Sequence, residues 1–161
     1  YKISTESAVW GTVQLVDFTS QAVFGSNVWD IEKMTVSAEG YDDIVFDCEG
    51  DSKDNFKVKK NNSDFETERF RLFYSYLINA PGEEFALGYT VPDEKPVASV
   101  SVTDRYLEKT YTVEFYNDTA LKSIIVIDGQ CRYICSKSYV DTLLENIGRI
   151  HTGEEYIKTW K

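Results

Sequence analysis

No stretch of this chain holds about 18 consecutive apolar residues, the length a helix needs to cross a bilayer, so no helical membrane span is read from it. Positive charge is scarce: 17 Lys and Arg stand against 27 Asp and Glu, for a net charge of -10. Nucleic acid and anionic membrane surfaces need a basic face, so neither is expected as the main partner. Histidine occurs once, at His151. A single imidazole cannot build a multi-histidine metal site, and a Ser-His-Asp triad would have to use a residue at a helix end. Gly-rich phosphate loops, CxxC pairs and GxSxG elbows are missing too. No metal, no cofactor and no catalytic group is therefore read from the sequence. An initiator Met, a basic n-region and an apolar h-region are absent at Tyr1, which leads us to expect an excised portion of something longer.

Cysteine is sparse and awkwardly placed. Cys131 and Cys135 share one expected strand, where four steps of about 3.3 Å set them roughly 13 Å apart, beyond the roughly 7 Å a disulfide spans. All three cysteines are read as thiols, with Cys48 bonded to one of the others as the alternative.

What is present describes a β-leaning globular protein. Of the 161 residues 42% are hydrophobic and 14% aromatic, enough to bury a core without disulfide or metal, so residues 1–161 are read as one domain. The clearest stretch is residues 109–150. Tyr111, Val113 and Phe115 alternate with polar neighbours, as a half-buried strand does. Ile124, Ile125, Val126 and Ile127 run into Asp128-Gly129, a type I′ turn signal that returns the chain through Cys131, Tyr133 and Cys135. This turn sets Ile127 opposite Gln130 and Ile125 opposite Arg132, with Val126 and Tyr133 as the floor of the following helix. Ile125 and Ile127 then lie on the reverse face, which their apolarity predicts to be at least partly covered. Ser138 and Asp141 predict an N-cap, and Val140, Leu143, Leu144 and Ile147 form the helix's apolar stripe.

The first half reads alike. Met34, Val36 and Ala38 alternate, Gly40 turns the chain, Ile44, Phe46 and Cys48 alternate again, and Phe56 and Val58 mark a short third strand closed by Asn61-Asn62. A capping box at Ser63 and Glu66 then predicts a helix on the stripe Phe70, Phe73, Tyr74 and Leu77, ending by Ala80-Pro81-Gly82. Residues 83–96 read as a surface loop, and Ala98, Val100 and Val102 as the first strand of the second half. Residues 1–30 carry a short strand or helical turn around Val9 to Val16 and a loop at Gly25-Ser26-Asn27; residues 153–161 form a last short strand or fray. The expected fold class is α+β: antiparallel β-meanders each followed by a packed helix, in halves 31–82 and 96–152 that are a candidate duplicated βββα unit.

Candidate sites are few. Asp47, Glu49, Asp51 and Asp54 crowd one turn without the spacing of an EF-hand loop, and Asp42-Asp43 reads as turn chemistry. Asn61-Asn62-Ser63 and Asn117-Asp118-Thr119 fit the glycosylation pattern and are read as turns. Aromatic residues near element ends are the surplus: Trp10, Trp29, Tyr116 and Trp160, beside Tyr41, Tyr89 and Tyr106, are the candidates for gripping a ligand or partner.

Three further stretches carry a family resemblance: FRLFYSY at 70–76 followed by Glu83-Glu84, the strand pair PVASVSV and KTYTVEF within 96–115, and Asp128-Gly129 with YVDTLL at 139–144. In these the chain resembles the bacterial envelope family catalogued as domain of unknown function 4340, over about residues 31–153. Asp128 stands where that family often has Asn, which leaves the turn chemistry intact. The resemblance implies a parent chain anchored in the membrane, of whose ectodomain this chain looks like the C-terminal part, a place outside the cytoplasmic membrane in the cell envelope, and a partner among ABC-type transporters related to gliding-motility systems. The expectation is thus a non-enzymatic extracytoplasmic module that scaffolds such a transporter or presents its substrate. The alternative is a small-ligand or glycan-binding domain using exposed aromatics in a groove between the two helix-on-sheet units.

Overall fold

Period-two alternation becomes strand and period-3.6 alternation becomes helix along the computed structural model, which describes residues 22–160. The strands are β1 (Ile31–Ala38), β2 (Ile44–Glu49), β3 (Lys57–Lys60), β4 (Ser63–Phe65), β5 (Glu84–Phe85), β6 (Ala98–Asp104), β7 (Lys109–Asn117), β8 (Lys122–Ile127) and β9 (Gln130–Ser136). Helix α1 (Thr67–Ile78) follows β4 and α2 (Lys137–Thr152) follows β9. Among the described residues nine strands form one sheet in the order β4-β3-β2-β1-β6-β7-β8-β9-β5. Every pairing is antiparallel. The α+β class is thus as expected. Each half is a meander running outward from the centre, and the halves join where Met34 faces Val102 and Val36 faces Val100.

Both helices lie on one face of the sheet and share one core. Phe70, Phe73 and Leu77 of α1 and Tyr139, Val140, Leu143 and Ile147 of α2 bury against Met34, Phe46, Val100, Phe115 and Ile125. Arg105 locks the rim of this core. Its guanidinium donates to the carbonyls of Gly50, Cys48 (2.8 Å) and Ile31 (3.3 Å), tying the end of β6 to β1 and β2.

Four expectations about where elements begin and end are corrected. First, Ser63 caps no helix: Asn61 and Asn62 both take positive φ (49° and 67°), so the chain doubles back and Ser63–Phe65 pairs with β3 as a fourth strand. Asn61 fixes that turn by accepting from Val45 N through its side chain at 2.8 Å, and the helix begins after Glu66, whose side chain makes no capping bond. Second, α2 starts before Ser138. Ser136 is its N-cap, again without a side-chain capping bond, and Lys137 pairs with Asp141 across one turn. Third, Glu84 and Phe85 leave the expected loop to pair with Ile134 and Tyr133 along the edge of β9. Fourth, residues 153–160 form no strand; they run back over the helices.

The hairpin at Asp128-Gly129 has the expected positive φ at both positions (49° and 74°), and Ile127 faces Gln130. Beyond that pair the register departs from expectation. Val126 faces Cys131 but Ile125 faces Tyr133, so Arg132 is an extra residue, a β-bulge. The bulge turns Tyr133 and Cys135 onto the helix side with Ile125, while Ile124, Val126 and Cys131 join Tyr116 on the reverse face. The helix floor is therefore Ile125 with Tyr133, not Val126 with Tyr133. The reverse face at this end is buried, as expected, but through Ile124 and Val126.

Candidate functional site

The richest arrangement of side chains lies where α1, α2 and the segment after α2 meet. Tyr76 of α1 and Tyr139 of α2 stack with centroids 5.0 Å apart and 5° between planes. The Tyr76 hydroxyl donates to the Tyr139 carbonyl at 2.8 Å. Burial pushes both phenols upward in pKa.

Gly153, in the left-handed region at φ 82°, ends α2 and turns the chain back. Three side chains then hold its backbone. Arg69 of α1 donates to the carbonyls of Gly153 (2.9 Å), Arg149 (3.1 Å) and Glu154 (3.0 Å), placing a cation where the α2 dipole is negative. Arg149 donates to Glu155 O at 2.6 Å. Asn146, fully buried, uses both ends of its amide on Ile157, donating to its carbonyl at 2.9 Å and accepting from its N–H at 2.8 Å. Two rings anchor the segment. Tyr156 packs on Phe73 (5.8 Å) under the Arg69 guanidinium (4.9 Å), and Trp160 meets Tyr76 (5.6 Å) and Tyr139 (4.9 Å) edge to face. Burial raises the Tyr156 pKa against the opposing pull of Arg69. Beside the segment a hollow of about 410 Å³ opens between Leu72, Tyr76 and Ile157. A smaller one of about 300 Å³ lies between Asn79, Lys158 and Trp160.

The aromatic candidates do not converge. Trp10 lies outside the described residues. Trp29 packs edge to face on Phe56 (5.2 Å) with the Arg71 guanidinium over it at 5.0 Å. Tyr116 is buried on the reverse face. Trp160 alone reaches the groove between the helices. Tyr41 stacks on His151 at 5.9 Å. In the acidic turn, Asp47 faces Lys33 (4.0 Å) and Glu49 faces Lys59 (3.6 Å), while the Asn55 side chain accepts from the N–H groups of Asp51 and Ser52. Among the described residues no group of three or more His, Cys, Asp or Glu could hold a metal ion. Cys48, Cys131 and Cys135 are free, and burial pushes the Cys48 and Cys135 thiols up to about 12.

Arg69, Asn146 and Tyr156 are absent from the sequence-based candidates. Asn146 did leave a trace, a polar residue inside the buried stripe Leu143, Ile147, Ile150. Arg69 left none, because the carbonyls it binds become available only when α2 stops beside α1.

Fold and site together define an antiparallel sheet platform carrying two helices on one face, with a peptide segment held against them by side chains. No family model, no curated protein and no solved structure matches the chain.

Proposed function

We propose that this chain is a non-enzymatic module of the cell envelope, on the outer face of the cytoplasmic membrane, that docks on an ABC-type membrane transporter as a scaffold or substrate-presenting domain. The family resemblance motivates the partner and the location. One observation of the fold carries the docking role: with both helices on one side, the centre of the sheet's other side, among the described residues, is a polar, half-exposed surface. Thr35, Ser101 and Thr112 form one row across β1, β6 and β7, and Lys33, Thr103 and Thr110 the next. Ser101 bonds Thr112 at 3.0 Å and Thr103 bonds Thr110 at 2.9 Å, so the hydroxyls are already ordered for contact. Each half runs four strands and then a helix, and this common order supports a duplicated unit one strand longer than the expected βββα.

The test is site-specific photo-crosslinking in cells, with a photoreactive residue at Thr103 or Thr110 of the intact polypeptide. Adducts with a transporter subunit are the expected result. Adducts only with cytoplasmic proteins, or a parent chain without a membrane anchor, would overturn the reading.

A further inference from the structure

We propose that the groove between α1 and α2 is a peptide-binding site, that residues 154–160 are its built-in ligand, and that a second copy of this chain can supply the same segment in trans. The inference goes beyond the docking role above and does not depend on it.

The contacts are those of recognition more than of secondary structure. No helix or strand takes up the segment. Asn146 satisfies the N–H and the carbonyl of Ile157 together, a bidentate grip that reads backbone and not side chain. Asn146 is fully buried with the segment in place, so its amide is paired with Ile157 out of reach of water. The two arginines add bonds to three successive carbonyls, Gly153, Glu154 and Glu155. Specificity falls to two rings four residues apart, Tyr156 on Phe73 and Trp160 between Tyr76 and Tyr139. Rings are low-entropy anchors for a peptide in a groove. Glycine at the departure point, already at φ 82°, supplies a joint about which the segment can leave. The occupant known to fit is this sequence, so a second copy is the trans donor, and exchange of an identical element is a low-cost route to a dimer.

Tethered to its own groove, the segment competes at an effective concentration on the order of millimolar, so trans binding should be weak until the tether is disarmed. The experiment uses the full chain and a fluorescent peptide of residues 154–160. Wild type should bind it poorly, and Tyr156→Ala/Trp160→Ala should bind it at least about tenfold more tightly. A peptide N-methylated at the Ile157 position should lose that binding, because it lacks the N–H that Asn146 accepts. Mixing the double variant, with a sound groove and a disarmed segment, with Asn146→Ala, whose own groove is weakened and whose segment is intact, should give a heterodimer on size exclusion. Absence of peptide binding by the double variant would overturn the site. Collapse of its fold would do the same, since a ligand leaves its site standing. Peptide binding without a heterodimer would overturn the second copy as donor.

Discussion

Tyr76 and Tyr139 reach past each other's rings: the Tyr76 hydroxyl bonds the Tyr139 carbonyl at 2.8 Å, and the Tyr139 hydroxyl lies 3.5 Å from the Tyr76 carbonyl. Both rings are buried. Tyr76→Phe leaves a buried carbonyl short of its donor and should cost about 1–2 kcal/mol in urea denaturation. Tyr139→Ala removes a fully buried ring and should cost about 3–5 kcal/mol. Equal midpoints for wild type and Tyr76→Phe would mean the hydroxyl pairing contributes nothing to joining the helices.

Arg69 links α1 to the end of α2 through three carbonyls. Arg69→Met keeps most of the stem's packing and deletes the bonds. A loss of about 1–2 kcal/mol is expected, with faster amide exchange at Ile157 and its neighbours. Unchanged exchange there would show that Asn146 holds the segment without help.

Gly129 sits at φ 74° in the β8–β9 turn. Gly129→Val should destabilise by about 1–2 kcal/mol or more, because a β-branched residue resists the left-handed region. Ser63→Ala and Ser138→Ala should each stay within about 0.5 kcal/mol of wild type, since neither residue caps a helix. A full-sized capping loss of about 1 kcal/mol at either serine would contradict the helix starts described above.

Burial raises the Cys48 and Cys135 pKa values from the ordinary 9.0 to about 12. A raised acid pKa means the folded state prefers the neutral thiol. Its contribution is therefore complete below the unfolded pKa and is lost as pH climbs from about 9 towards 12. The buried phenols Tyr74, Tyr76 and Tyr139 act in the same direction. The denaturation midpoint should fall steeply above pH 9 and stay flat with respect to these groups between pH 6 and 8. With a thiol reagent at pH 8, half-buried Cys131 should react first, and Cys48 and Cys135 only on unfolding. Rapid labelling of all three in the native protein would contradict their burial.

Strands and helix stripes were legible because burial on one side leaves a period in the sequence. Met34, Val36 and Phe46 kept period two, and Phe70, Phe73 and Leu77 kept their helical spacing in full. The type I′ turn was legible for a local reason, since Asp-Gly tolerates the required φ. The register was not. Ile124 to Ile127 are apolar on both sides, so either face could serve as floor, and the choice was made by one inserted residue, Arg132, which has no signature of its own. Ser63 misled because Ser-x-x-Glu is also what a short edge strand can look like. The difference lay in Asn61-Asn62, a pair able to take two positive φ values. The groove depended on long-range encounters of Arg69, Asn146 and Tyr156, which no local pattern records. Trp160 was reached by composition alone, and Trp29 and Tyr116 landed in packing positions elsewhere.

The seam between β1 and β6 has a kinetic meaning. Within each half, neighbouring strands are joined by short turns and can pair soon after they are made. Met34, by contrast, must wait for Val102, across the whole of the first half and the connector. Closing so long a loop is entropically slow, so the two meanders should gather separately and the seam should zip late. On a ribosome, the side of β1 that faces away from β2 would lack β6 until that strand is made, and that edge is the place where chains in production would first stick to one another.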